Sequence, residues 1–268
     1  ETNIESILLA LLNSDEAAGI DGFDSNGDAD LNHDVGLEAQ VSGRILSDTL
    51  SFGEGYRIRF GRRVISRDRL VDFVTGLDTS IGLVTYTISG IFIAKAIDTS
   101  ESQQIDSLSF EKDFTTILNR KVRFVRTNDD ANPDGYSWKI NALTPLTGGV
   151  GGKVSISSLS FYALSEENQE ANLVISIDAD GAGDLFVSRD SIPSFTAFER
   201  ILVYASVQNS GPEYSIDTSN VGEWVFYNYG KNMMQRGRKQ LNDSGMFFDQ
   251  SANDNIHSGS IRVHGPGN

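Results

Sequence analysis

Apolar positions at the start of the chain follow helical spacing: Ile4, Ile7, Leu8, Leu11 and Leu12 fall at i, i+3, i+4, i+7 and i+8. They form one face of a short amphipathic helix, and Thr2 with Glu5 supplies a capping-box pattern at its start. Leu37, Val41 and Ile45, spaced by four, predict a second helix, closed by Gly53 and Gly55. From Tyr56 the period becomes two. Tyr56, Ile58 and Phe60 alternate with Arg57 and Arg59, and Val84, Tyr86 and Ile88 alternate with Thr85, Thr87 and Ser89. The apolar phase then moves to Ile91 and Ile93 across Gly90, which predicts a β-bulge there. Val122 and Phe124 mark another strand, and Trp138, Ile140 and Ala142 the next. Asn132-Pro133-Asp134-Gly135 makes the turn between them.

The run Thr147-Gly148-Gly149-Val150-Gly151-Gly152-Lys153 is glycine-rich enough to predict a domain boundary. Beyond it no helical period is found. Strands are expected over 154–162, 173–177, 184–187, 201–207, 214–216, 224–229, 246–248 and 260–263, separated by turn clusters. The expected fold class is therefore an α+β unit over residues 1–147, with short helices on a bent antiparallel sheet. An all-β sandwich follows over residues 153–268.

Charge changes the picture locally. The net charge is −15, and residues 1–50 hold eleven Asp/Glu against the single Arg44. Residues 51–150 are nearly balanced, with twelve acidic and thirteen basic side chains. Nucleic acid is an unexpected partner for such a chain, because phosphate binding needs a basic footprint. No apolar run approaches the ~20 residues of a membrane-spanning helix. The absence of Cys excludes disulfides, zinc-thiolate sites and cysteine nucleophiles. A start at Glu1 without Met would look the same after removal of a signal peptide, a lipoprotein leader or a tag. It is the acidic, Cys-free, Asn/Asp/Ser/Gly-rich composition that leads to the expectation of an exported, extracellular or cell-surface protein.

Several stretches carry resemblances. Phe60-Gly61-Arg62-Arg63-Val64-Ile65, Val84 to Gly90, Lys121 to Arg126 and Tyr136 to Pro145, behind the predicted helices, resemble the strand series of the nuclear transport factor two and ketosteroid isomerase superfamily. The resemblance covers residues 36–147 and implies a cone-shaped α+β fold. Isomerase members of that superfamily use an Asp base and a Tyr or acidic donor in an apolar cone; Asp68, Asp72 and Tyr86 are of the right type, without mapping onto a family motif. The acidic stretch 15–34 departs from that fold. The second half is similar in style to immunoglobulin-like sandwiches, without their Cys pair.

The main candidate chemistry lies in Asp24-Ser25-Asn26-Gly27-Asp28-Ala29-Asp30-Leu31-Asn32-His33-Asp34. Oxygen side chains at alternate positions repel one another, and a hard cation with six to eight oxygen ligands relieves that repulsion. Asp24, Asn26, Asp28, Asp30, Asn32 and Asp34 are the expected Ca²⁺ ligands. The loop resembles those of dockerin-like and thrombospondin-repeat proteins, but has Ala29 where an EF-hand has Gly and Val35 where it has Glu. Asp178-Ala179-Asp180-Gly181-Ala182-Gly183-Asp184 reads as a hairpin turn, with a second calcium loop through Asp178, Asp180 and Asp184 as the alternative. His33, His257 and His264 show no metal-pair spacing and are expected at the surface. The basic residues Lys231, Arg236, Arg238 and Lys239 read as a solvated loop or a site for an acidic partner. Together these features predict a non-enzymatic binding or assembly module with structural calcium, a homo-oligomer or filament subunit meeting its own copies or a cell-surface partner. The alternative is a small-molecule isomerase or dehydratase working in the cone.

Overall fold

The computed structural model describes residues 4–15, 18, 33–34, 56–98, 107–164, 171–210, 215–216, 219–220, 225–229, 237–246 and 248–263. Antiparallel sheet dominates. Helix α1 (Ile4–Ser14) forms where the helical period places it and buries Leu8 and Leu12. The second helix, expected around Leu37, Val41 and Ile45, lies outside the described residues, apart from β1 (His33–Asp34) just before it.

Three long strands follow: β2 (Tyr56–Val74), β3 (Thr79–Asp98) and β4 (Ser107–Asn128). With β5 (Tyr136–Leu143), β6 (Thr147–Gly149) and β9 (Val187–Ser188) they build a sheet in the order β1-β2-β3-β4-β5-β9, with β6 on β4. The expected turn joins β4 to β5: Gly135 takes φ 72°, and its N–H donates to the Asn132 carbonyl at 2.8 Å.

One face of this sheet carries the core. Val64, Val84, Tyr86, Ile88, Phe114, Leu118, Val122, Phe124, Trp138 and Ile140 pack there with Leu8 and Leu12 of α1. The opposite face carries Ser66, Asp68, Leu70 and Asp72 of β2, Leu83, Thr85, Thr87 and Ser89 of β3, and Thr115, Ile117 and Asn119 of β4. These residues pair across the strands and share a side. Thr85 donates to Asn119 at 3.0 Å, and Ser89 lies 3.2 Å from Thr115. Leu70, Leu83 and Ile117 remain exposed on this face.

The predicted bulge exists, but its extra residue is on the neighbouring strand. Val64 pairs with Gly90 and Ser66 with Ser89, so Ile65 of β2 is the inserted residue. The pairing of β3 with β4 runs through Gly90 without a shift. Phe92 continues the core face, while Ile93 is buried on the other side. Two-sided burial, and not a bulge within β3, produced the apolar phase change. Gly90 is needed because a Cβ would lie 2.1 Å from the Arg63 carbonyl oxygen in the bulge.

The second half begins with β7 (Val154–Leu164) and β8 (Ala171–Asp178), and continues through α2 (Ala179–Ala182), β9 and a 3-10 turn (Arg189–Ser191). Then come β10 (Arg200–Asn209), β11 (Ser215–Ile216), β12 (Ser219–Asn220), β13 (Val225–Tyr229), β14 (Gly237–Leu241) and β15 (Ile256–Arg262). A separate sheet runs β15-β10-β7-β8; β11-β12 and β13-β14 are two-stranded ribbons. Val225, Tyr227 and Leu241 of the β13-β14 ribbon pack on Leu159, Phe161, Val203, Ala205 and Ile261 of the four-stranded sheet. That places two β layers around a small core.

Several expectations need correction here. Residues 178–184 are not a hairpin turn, because β8 and β9 belong to different sheets and a single turn of helix leads between them. Only 187 of the strand expected over 184–187 is in β9; of the strand expected over 246–248, Met246 and Phe248 are not in a strand and Phe247 lies outside the described residues. The glycine-rich run includes β6: Gly148 has φ 137°, and a Cβ there would sit 1.9 Å from the Ile117 carbonyl oxygen, so glycine permits a close approach to β4.

Candidate functional site

Of the expected calcium ligands, Asp24, Asn26, Asp28, Asp30 and Asn32 lie outside the described residues. Asp34 is described through its backbone, which pairs with Arg59 while His33 pairs with Phe60. The acidic stretch therefore ends as a short edge strand on β2.

Among the described residues, one group of acidic side chains converges: Asp243, Asp249 and Asp254, with carboxylate oxygens within 4.8 Å of one another. The site is built by the 242–255 loop between β14 and β15. Asn242 and Ser258 exchange two backbone hydrogen bonds of 2.8 Å, which closes the base of the loop. Asp243 accepts from the N–H groups of Asp254 at 3.1 Å and Asn255 at 3.0 Å. Asp249, buried, accepts from Gly245 N–H at 2.6 Å, and Asp254 accepts from Ile256 N–H at 2.9 Å. Left-handed backbone at Gly245, Asn253 and Asn255 folds the loop back on itself. Gly and Asn are the residues that tolerate this region best.

Three carboxylates with lone pairs remaining after these bonds are hard oxygen donors of the class that suits Ca²⁺ or Mg²⁺. The backbone bonds also give each carboxylate a structural task without an ion. The Tyr204 hydroxyl donates to the Phe248 carbonyl at 3.2 Å, and its ring meets Tyr162 edge-on at 5.5 Å. Burial raises the Tyr204 pKa, and the negative charges of Tyr162 and Asp249 add to that. The sequence carried two signals for this loop, Asn242-Asp243-Ser244 and Asn253-Asp254-Asn255. The first also spells a glycosylation triplet, and the strand expected over 246–248 concealed the loop between them.

Asp178, Asp180 and Asp184 do not converge. Asp184 instead forms an ion pair with Lys121 at 2.5 Å. The residues offered for isomerase chemistry are separated too: Tyr86 is buried on the core face and donates to the Ala18 carbonyl at 2.9 Å, whereas Asp68 and Asp72 are exposed on the opposite face. Arg120 also lies on the core face, where burial lowers its pKa against a smaller opposing contribution from Tyr86. His257 is buried on β15 and not at the surface, while His264 lies outside the described residues. In the basic cluster, Lys239 donates to the Ser260 carbonyl, and Lys231 and Arg236 lie outside the described residues.

No family model, curated protein or solved structure matches this chain. No helix among the described residues is long and apolar enough to cross a membrane.

Proposed function

We propose that the protein is an exported, non-enzymatic binding or assembly module, a surface or filament subunit in which calcium serves as a structural ion. The observation that carries this reading is the outer face of the long sheet. Over residues 66–72 of β2, 83–89 of β3 and 115–119 of β4, this face presents Ser, Thr, Asn and Asp side chains, with Leu70, Leu83 and Ile117 exposed among them. Such a surface suits contact with another macromolecule better than it suits enclosure of a small substrate. Within this reading, residues 1–147 are the cone-like α+β unit and residues 153–268 the immunoglobulin-like sandwich. Ca²⁺ is assigned to the Asp24–Asp34 loop, and the Asp243, Asp249 and Asp254 loop supplies a second set of hard oxygen donors.

The test is sedimentation velocity over a range of protein concentrations, in calcium and in chelator. The proposal expects self-association or capture of a surface partner, with calcium strengthening it. A monomer under every condition that also turns over a small carbonyl or hydroxy compound would favour the isomerase or dehydratase reading instead.

A further inference from the structure

The crossover from the four-stranded sheet to the long sheet is held by unlike contacts on several elements. Ala182 of α2 is buried, and the Lys121–Asp184 ion pair follows at once. The Arg123 guanidinium lies 5.1 Å from the centroid of the Phe186 ring. The backbone joins the sheet through two residues only, Val187 on Leu143 and Ser188 on Ala142. Arg189 then forms an ion pair with Asp15, immediately after α1. Asp15 also receives the N–H of Ala18 at 3.1 Å, and the Ala18 carbonyl receives the Tyr86 hydroxyl at 2.9 Å. One carboxylate therefore connects the end of the helix, the core of the long sheet and the crossover.

We infer that residues 179–191 are a strap, latched by the Asp15–Arg189 pair, that couples the docking of α1 to the attachment of the second half. Two ladder residues are too few to fix a segment of this length, so side-chain contacts decide whether it stays down. Two of those contacts are ionic. Lys121 and Asp184 are solvent-exposed at 36% and 82%, so this pair is screened by salt and contributes little. Arg189 and Asp15 are exposed at 33% and 14%, so their pair is the better shielded and the more consequential. Releasing it leaves the Asp15 carboxylate half-buried beside Ala18 and loosens the helix whose Leu8 and Leu12 cover the core. The inference stands independently of the assembly reading.

Hydrogen exchange tests it on the full chain. In Arg189→Met, which keeps much of the side-chain volume and removes the charge, amides of both α1 and residues 179–191 should exchange faster. The increase should be about fivefold, with β3 and β4 unchanged. Asp15→Asn should produce the same paired effect, and high salt should produce a weaker version in the wild type. The exchanged pair, Asp15→Arg with Arg189→Asp, should restore part of the protection if the attraction itself is the latch. Faster exchange in the strap with α1 unaffected would overturn the coupling, as would unchanged exchange in both. Equal acceleration throughout the long sheet would show general destabilisation and would also overturn it.

Discussion

The two halves use the same alternating pattern to different ends. In residues 56–149, long strands pair side by side, and among the described residues a large core forms on one face with α1. In residues 154–263, shorter strands form a four-stranded sheet and two ribbons, β9 joins the long sheet, and among the described residues Val203, Ala205 and Leu241 form a core between layers. The difference lies in where order comes from. The first half is organised by continuous ladders whose register is corrected by inserted residues, Ile65 in β2 and Asn141 in β5. Asn141 is also tied by a 3.0 Å bond from Arg123. The second half depends more on side chains that hold loops: Asp243, Asp249 and Asp254 between β14 and β15, and Ser157, whose hydroxyl donates to the Ser206 carbonyl at a register shift. Long ladders hold the first half through backbone pairing; in the second, carboxylates that accept backbone N–H bonds shape the loop between β14 and β15.

The largest expected effect separates the cores. Phe124 is fully buried and meets Phe73 edge-on at 6.1 Å. Phe124→Ala should cost about 3–5 kcal/mol. Denaturation followed by hydrogen exchange should place the loss first in β2–β5. If β7 and β10 lose protection at the same denaturant concentration, the halves unfold as one unit and the contrast fails as a statement about stability.

A smaller effect addresses the glycine-rich run. Gly148→Ala should cost about 1–3 kcal/mol, because it places a side chain against the Ile117 carbonyl in a backbone conformation that favours glycine. Gly151→Ala meets nothing within 4 Å and should be nearly neutral. Equal effects in chemical denaturation would mean that the run is a plain linker throughout.

Those glycines also show what the sequence made legible. α1 was readable because five apolar residues at helical spacing leave one face to bury. The long strands were readable because Tyr86, Ile88, Val122 and Phe124 alternate with polar neighbours. The bulge was signalled by parity, since Val64 faces the core at an even position and Val71 and Phe73 at odd ones. Ile65 is not signalled locally, because the residue that stands out is Gly90 on the neighbouring strand, which accommodates the bulge without containing it. Asp243, Asp249 and Asp254 were missed because their meeting depends on left-handed turns and a bridge to β15. No local period encodes that. The linear spacing of Asp24–Asp34 was easy to see, but spacing alone does not place ligands around a point.

The smallest expected effect is alkaline. Burial raises the Tyr227 pKa in the core between the ribbon and the four-stranded sheet. A raised folded-state value means its favourable contribution is complete below the unfolded tyrosine pKa of ~10 and is lost as pH rises through the folded value. Tyr227→Phe should therefore reduce the alkaline loss of stability, and with it the pH dependence of exchange in β13 and β14. An identical alkaline profile for the variant would remove Tyr227 from the account of how the second half is held.

Thermal melting in calcium and in chelator tests the claim of a structural ion most directly. At a hundredfold excess over the dissociation constant, a cation bound only by the folded state adds ~2.7 kcal/mol. The account predicts a higher melting temperature in calcium, poor substitution by Mg²⁺, and loss of most of that sensitivity in Asp28→Ala, with any remainder removed by Asp249→Asn. Superimposable melting curves in calcium and chelator for the wild-type chain would contradict it, and the Asp243, Asp249 and Asp254 loop would then be held by its backbone hydrogen bonds.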